Sequence, residues 1–213
     1  MAYGKMTNTG GTVNIDMGDL NPKQKLFCQA RSRYVGYGGG KTYVLMRKSF
    51  GGALAYPNLR ILIVRREYPE LEQSITLPMR RMIPQEIASY NATMHMFFFV
   101  NGSTIKFGHY GANDDLEYQG QEYDWIFMDE ATQFTESQFR TLGACLRGAT
   151  RVPRRMYLTC NPGGIGHLWV KRLFIDREYR DGERAGDYTF IPATVDDNPQ
   201  LLAASPAFAS DVY

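Results

Sequence analysis

Three short apolar runs constrain this chain more than anything else in it. Residues 60–64 (RILIV), 125–128 (WIFM) and 156–159 (MYLT) are continuously apolar or β-branched, apart from Arg60 at the edge of the first, and each is bounded by polar or glycine residues. Alternating polar positions would mark strands with one wet face. Unbroken runs of this length suit central strands of a parallel sheet, buried on both faces. Helix-like stretches alternate with these runs from Asn21 onward, the pattern of an α/β fold. One helix is expected over residues 42–55, stopped by Pro57 and weakened in its last turn by Gly51 and Gly52. Another should begin after Thr135, which caps it with Gln138 and sets Phe139, Leu142 and Leu146 on one face. Residues 94–100 and 103–107, joined by Asn101-Gly102, read as a β-hairpin in which Asn-Gly supplies the positive φ angles of a tight turn.

With 213 residues, 44% of them hydrophobic, the chain can bury a sizeable core as one domain, and 14 Tyr with 12 Phe argue against disorder. No run approaches the roughly 20 apolar residues that cross a bilayer. Residues 1–14 are polar and glycine-rich, without the apolar centre of a signal peptide. Cys28, Cys145 and Cys160 lack metal-ligand spacing and cannot all pair, which points to a reducing, intracellular setting. A net charge of +2 does not demand a nucleic-acid partner. Basic clusters at Arg65-Arg66, Arg80-Arg81 and Arg147, Arg151, Arg154, Arg155 read as solvated faces before they read as DNA contacts.

The chemistry lies in three turns. The first is VGYGGGKT, residues 35–42. Its glycines, Gly36, Gly38, Gly39 and Gly40, let the backbone curl so that successive N–H groups face phosphate oxygens; Lys41 can reach the terminal phosphates and the Thr42 hydroxyl can ligate Mg²⁺. The usual glycine six residues before the lysine is replaced by Val35. The second is WIFMDE, residues 125–130, an apolar strand ending in two acids. Asp129 at the strand tip can hold Mg²⁺, and Glu130, pointing the other way, can polarise an attacking water. The third is MYLTCNPGG, residues 156–164, which ends a strand on Asn161, a group able to sense a γ-phosphate or the lytic water. Taken singly, each has a plainer reading: a glycine loop, a strand exiting into an acidic turn, or an Asn-Pro-Gly-Gly turn with no chemistry. Together, an acid pair about 90 residues after a glycine-rich Lys-Thr turn favours nucleotide hydrolysis.

These segments resemble the phage terminase large subunits. ILIVRREYPEL (residues 61–71) looks like their second strand and following turn, and GQEYDWIFMDEATQF (120–134) like their Walker B segment. TCNPGGIGHLWVKRLF (159–174) resembles their coupling motif and the helix beyond it, and TVDDNP (194–199) a segment near the end of their ATPase domain. The resemblance implies a RecA-like (ASCE) P-loop NTPase, an α/β fold with a mostly parallel central sheet flanked by helices, a β-hairpin insertion, and an additional strand between those of Walker A and Walker B.

It further implies ATP and Mg²⁺ as cofactors, Lys41 and Thr42 on phosphates and metal, Asp129 on the metal, and Glu130 as catalytic glutamate. Asn161 would couple hydrolysis to DNA movement, and Gln24 fits the glutamine that reads adenine, or is only a polar residue at a helix start. Two arginines common in the family are replaced, by Tyr37 and Gln119, so the arginine finger is unassigned and Arg147 is a guess. The implied partners are double-stranded DNA, a portal protein, the terminase small subunit and further copies in a ring, with no membrane, in the host cytoplasm on a viral procapsid. Residues 1–20 are expected to be a flexible arm and 21–205 the ATPase domain. Residues 206–213 would be a tail or the start of a linker to a nuclease domain, and no nuclease activity is expected from residues such as Asp196, Asp197 and Asp211. Two other readings stay open: a non-hydrolysing nucleotide-binding or assembly module, and another nucleic-acid translocase of the same class.

Overall fold

The computed structural model describes residues 5–8, 11–14, 18–38, 41–111, 118–193 and 197. Within the segment read as an arm, β1 (Lys5–Asn8) and β2 (Gly11–Asn14) pair antiparallel, with Asn8 opposite Gly11. Helix α1 (Pro22–Gln29) follows, and its Asn21–Gln24 capping box satisfies orphan N–H groups reciprocally.

Among the described residues the main sheet has eight strands. They are β3 (Tyr34–Gly38), β4 (Arg60–Arg65), β5 (Ala88–Asn91), β6 (Met96–Phe99), β7 (Thr104–His109), β8 (Trp125–Met128), β9 (Arg155–Cys160) and β10 (Tyr188–Ile191), in the order β10-β3-β9-β8-β4-β7-β6-β5. Every pairing from β10 to β7 is parallel, and β6 and β5 continue it antiparallel. Strand β9 comes after β8 in sequence yet lies between it and β3, the additional strand that the resemblance implied.

The apolar runs fill two cores at once. Ile61, Ile63, Trp125, Phe127 and Tyr157 pack on one face of the sheet, and Leu62, Val64, Ile126, Met128, Met156 and Leu158 on the other. Alternation sends neighbouring side chains to opposite faces, so strands with no polar interior position are those covered on both. Each such side chain contributes about 1.5–3 kcal/mol of burial.

Helix α2 (Lys41–Ala55) covers the first face. Gly52 does not weaken its end as expected: a Cβ there would stand 2.2 Å from the Trp125 ring, so the missing side chain seats the helix on the sheet. The carbonyl of Ala53 is met by the Asn101 side-chain amide at 2.8 Å. That contact also explains why the hairpin turn departs from expectation. Gly102 alone has positive φ (83°), while Asn101 keeps an ordinary backbone and turns its amide to α2. Gly102 N–H bonds Phe99 O and Phe99 N–H bonds Ser103 O, which makes a three-residue loop with a glycine bulge.

After β4 come α3 (Tyr68–Leu71), a π-helical turn (Glu72–Thr76) and α4 (Leu77–Met82). Thr135 caps α5 (Glu136–Ala144) through the expected box with Gln138. Beyond β9, α6 (His167–Val170) runs into a second π-helical turn (Lys171–Asp176).

Candidate nucleotide site at the strand tips

In a parallel sheet all strands end at one edge, and the first residues past those ends form the crevice where ligands bind. Here β3 ends at Gly38, β4 at Arg65, β8 at Met128 and β9 at Cys160. Helix α2 starts at Lys41, directing its N-terminal end to the same crevice. The expected phosphate-loop residues divide. Gly36 lies inside β3, paired to Leu158 and Phe190, and a Cβ on it would press 2.8 Å from the Phe190 ring. It is therefore a packing glycine within a strand, and not part of the turn. Gly38 ends the strand, Thr42 is half-buried in the first turn of α2, and Gly39, Gly40 and the Lys41 side chain lie outside the described residues.

The two acids are tightly held. Asp129 is 1% exposed; its N–H bonds Val64 O at 2.9 Å, and its Oδ1 accepts the Thr159 hydroxyl at 2.6 Å. Glu130 has φ 53° and ψ 52°, a left-handed backbone. It has left the strand, so strand alternation no longer applies, and its carboxylate does not point away from Asp129 as expected. Both acids converge on Arg65: Nη1 lies 3.1 Å from Asp129 and Nη2 2.8 Å from Glu130, while Nε reaches Glu70 at 3.1 Å. The other Glu130 oxygen takes the Gln133 amide at 2.6 Å, and the Glu130 N–H bonds Thr159 Oγ1 at 2.9 Å.

Sequence reasoning does not single out Arg65 or Thr159, and reads Arg65 as half of a surface basic pair. The signal is its place at the end of a buried strand. The register Val64↔Met128 brings Arg65 level with Asp129, and a cation there needs acids. Thr159 stands just before the expected Asn161 on β9, the strand next to β8.

Asn161 is exposed beyond β9. The loop it opens is fixed to the turn after the acids. Gly166 N–H bonds Thr132 O at 2.7 Å, and Trp169 Nε1 bonds Phe134 O at 2.8 Å. Gly164 has φ 81°, and a Cβ there would stand 2.4 Å from Thr132 O, so this close approach requires glycine.

The remaining candidates are placed as follows. Gln24 is buried, with its side-chain oxygen on the Asn21 N–H, and the Asn21 amide bonds Asp197 O at 2.8 Å. Tyr37, where the resemblance implied an arginine, is buried in β3 against Phe27, with burial, first, and then Asp197 and Cys28 pushing its phenol up to about 12. Gln119 is exposed beside Gly120, itself at φ 85°. Arg147 lies beside Glu122 (3.9 Å), ahead of the first residue of β8, and so at the opposite edge of the sheet from the acids of its own chain. The donors available for Mg²⁺, the Thr42 hydroxyl and the Asp129 carboxylate, are hard oxygens, which is the chemistry that ion takes; it would complete its shell with phosphates and water.

A family model described as phage terminase large subunit matches residues 29–206. No curated protein matches the chain. Among solved structures, the large terminase from a thermophilic bacteriophage, in complex with ATP-gamma-S, aligns with TM-score 0.67 at 19% identity, over 92% of this chain and 50% of that one. The Thermus phage P74-26 large terminase ATPase domain aligns with TM-score 0.58 at 15% identity, over 92% of this chain and 88% of that one. The HK97 bacteriophage large terminase aligns with TM-score 0.59 at 16% identity, over 89% and 44%. This chain thus spans about half the length of the first of these proteins and nearly all of the P74-26 domain. At such identities the likeness establishes the RecA-like fold.

Proposed function

The chain belongs to the phage terminase large subunits, and on that premise we propose that it is the ATP-hydrolysing motor domain of a DNA-packaging terminase, coupling hydrolysis to translocation of double-stranded DNA into a procapsid. The observation that carries this reading is the Asp129–Glu130 pair at the tip of a buried parallel strand, in the crevice that the N-terminus of α2 also faces.

In this reading Gly38, Gly39, Gly40, Lys41 and Thr42 cradle the phosphates of ATP, and Thr42 with Asp129 holds Mg²⁺. When bound, that ion neutralises charge on the β- and γ-phosphates. Glu130 accepts the proton of the attacking water. To do so it must first exchange one of its present bonds, to Arg65 or to Gln133, for the water. Arg65 is thus a positioning residue that holds both acids in place. Asn161 senses the γ-phosphate, and its loop carries the response to α6 through Gly166 and Trp169. Gln24 reads the adenine. That the large terminase of the thermophilic bacteriophage was crystallised with ATP-gamma-S and with ADP supports a nucleotide ligand. Double-stranded DNA, a portal protein, the small subunit and neighbouring copies in a ring complete the proposed setting, in the host cytoplasm on a procapsid. Among the described residues no helix is long and apolar enough to cross a membrane.

One observation favours a second reading, a nucleotide-binding module that does not hydrolyse: both Glu130 carboxylate oxygens are occupied by side-chain donors. ATP turnover of wild type and Glu130→Gln, with and without DNA and portal, separates the two. The motor reading expects the variant to lose at least a hundredfold, roughly the scale of a general base; equal rates would sink it.

A further inference from the structure

At the edge of the sheet away from the acids lies a cavity of about 830 Å³. Trp125 and Arg155, the first residues of β8 and β9, form its floor, and residues of α1 and α2 wall it. Along the strands it is roughly 13–20 Å from the candidate nucleotide crevice. Among the described residues, five cations line it, Lys25, Arg31, Arg47, Lys48 and Arg155, against one acid, Asp19. Among the described residues none of the five makes an ion pair.

This is not an ordinary solvated basic face. The Lys48 side chain is largely buried; its Nζ bonds Cys28 O at 2.7 Å and lies 4.8 Å from the centre of the Trp125 ring. Burial, and in smaller part the Arg155 charge, push its ammonium down, while burial pushes the Cys28 thiol up to about 11. The Arg47 guanidinium stacks on Tyr43 and meets the Met82 sulfur, yet its Nε is buried without a hydrogen-bond partner. Like charges gathered in a concave, partly dehydrated site repel one another, and the free energy of that repulsion is recovered only when an anion enters.

We propose that this cavity is a phosphate-binding site for the DNA backbone, separate from the nucleotide site and joined to it by α2. The occupant follows from charge: among the described lining residues an excess of four cations over a single acid matches a run of phosphodiesters, while the size of the cavity admits the edge of one backbone and excludes a whole duplex. Half or more of the hydrogen bonds in protein–DNA contacts go to phosphate and sugar, and such contacts grip without reading sequence, which is what a translocating motor needs. Helix α2 runs from Lys41 at the crevice to Arg47, Lys48 and Gly51 in the cavity wall, so one rigid element touches both sites. The identity of the ligand as DNA rests on the motor reading above; the anion site itself does not.

The test is equilibrium binding of a short mixed-sequence DNA duplex, without nucleotide, across a salt series. Lys25→Gln/Arg31→Gln removes two exposed cations that lie outside the nucleotide site, and Lys25→Arg/Arg31→Lys preserves their charge. The neutral pair should bind more weakly, with a slope of log affinity against log salt shallower by about 2. The charge-preserving pair should keep the wild-type slope, and both should keep basal ATP turnover. An unchanged slope in the neutral pair, or no wild-type binding of duplex, overturns the inference. Absent wild-type ATP turnover would bear on the motor reading alone, because binding is measured without nucleotide.

Discussion

Replacing Arg65 by alanine tests the electrostatics of the candidate site most directly. Its side chain is 10% exposed and serves three carboxylates of very different exposure: Glu70 at 51%, Glu130 at 21% and Asp129 at 1%. Solvent screening leaves the Glu70 contact worth about 0–1 kcal/mol. The contact with Asp129 is another matter, since removing the cation of a buried ion pair costs about 3–5 kcal/mol. Asp129 retains the Thr159 hydroxyl, so the lower end applies, about 3 kcal/mol. For a chain of this length that lowers the melting temperature by about 6–12 °C. Urea unfolding of wild type, Arg65→Ala, Asp129→Asn and the double variant gives the coupling between the two residues. A coupling below about 0.5 kcal/mol would refute the reasoning, because two groups that hold each other cannot be removed independently.

Two further outcomes follow from the same geometry. Thr159→Val keeps the shape but deletes the hydroxyl that donates to Asp129 and accepts from the Glu130 N–H; it should cost about 1–3 kcal/mol in urea unfolding and lower ATP turnover more than ATP affinity, and unchanged turnover would show the hydroxyl to be dispensable. Away from the site, Glu183 accepts from the Arg172 side chain first, then from the Arg180 N–H and the Arg140 side chain, and these hold its carboxyl down to about 2, well below the usual carboxylate range. A carboxyl lowered in the folded state stabilises it above the unfolded value, about 4.3, and that stability is lost as pH falls towards 2. Glu183→Gln should therefore melt lower than wild type near neutral pH by the equivalent of about 2 kcal/mol, with the gap closing below pH 4.5; a gap independent of pH would contradict the ion-pair account.

The central strands were legible in the sequence because burial on both faces leaves no polar position, and residues 125–128 have the bounds of β8 itself. The Thr135 cap was legible because its chemistry is local. What could not be read locally came from pairing across the chain. The destination of the Asn101 amide is a helix end 48 residues earlier, and it altered the turn that the Asn-Gly pair alone suggests. Gly36 reads as a phosphate-loop glycine and Gly52 as a loosening residue until the rings of Phe190 and Trp125 are set against them. In the candidate site, Asp129, Glu130 and Asn161 were nominated by motif. Arg65 was missed because an arginine pair after a strand looks solvated unless the neighbouring strand is known. The direction of Glu130 was missed because the chain leaves β-geometry at that residue.

The Thr159 oxygen has a consequence beyond holding two acids still. It is a joint with three arms: one to the Asp129 carboxylate, one to the Glu130 backbone, and one along the chain itself to Asn161, two residues on. Any tug on Asp129 that shortens or breaks its bond to the hydroxyl is felt by the peptide that aims Glu130 and by the root of the Asn161 loop within the same displacement. On the motor reading, a crevice built this way has no need of a long relay between the acid proposed to hold the ion and the residues proposed to act on the water and the loop. They share a hinge pin one atom wide.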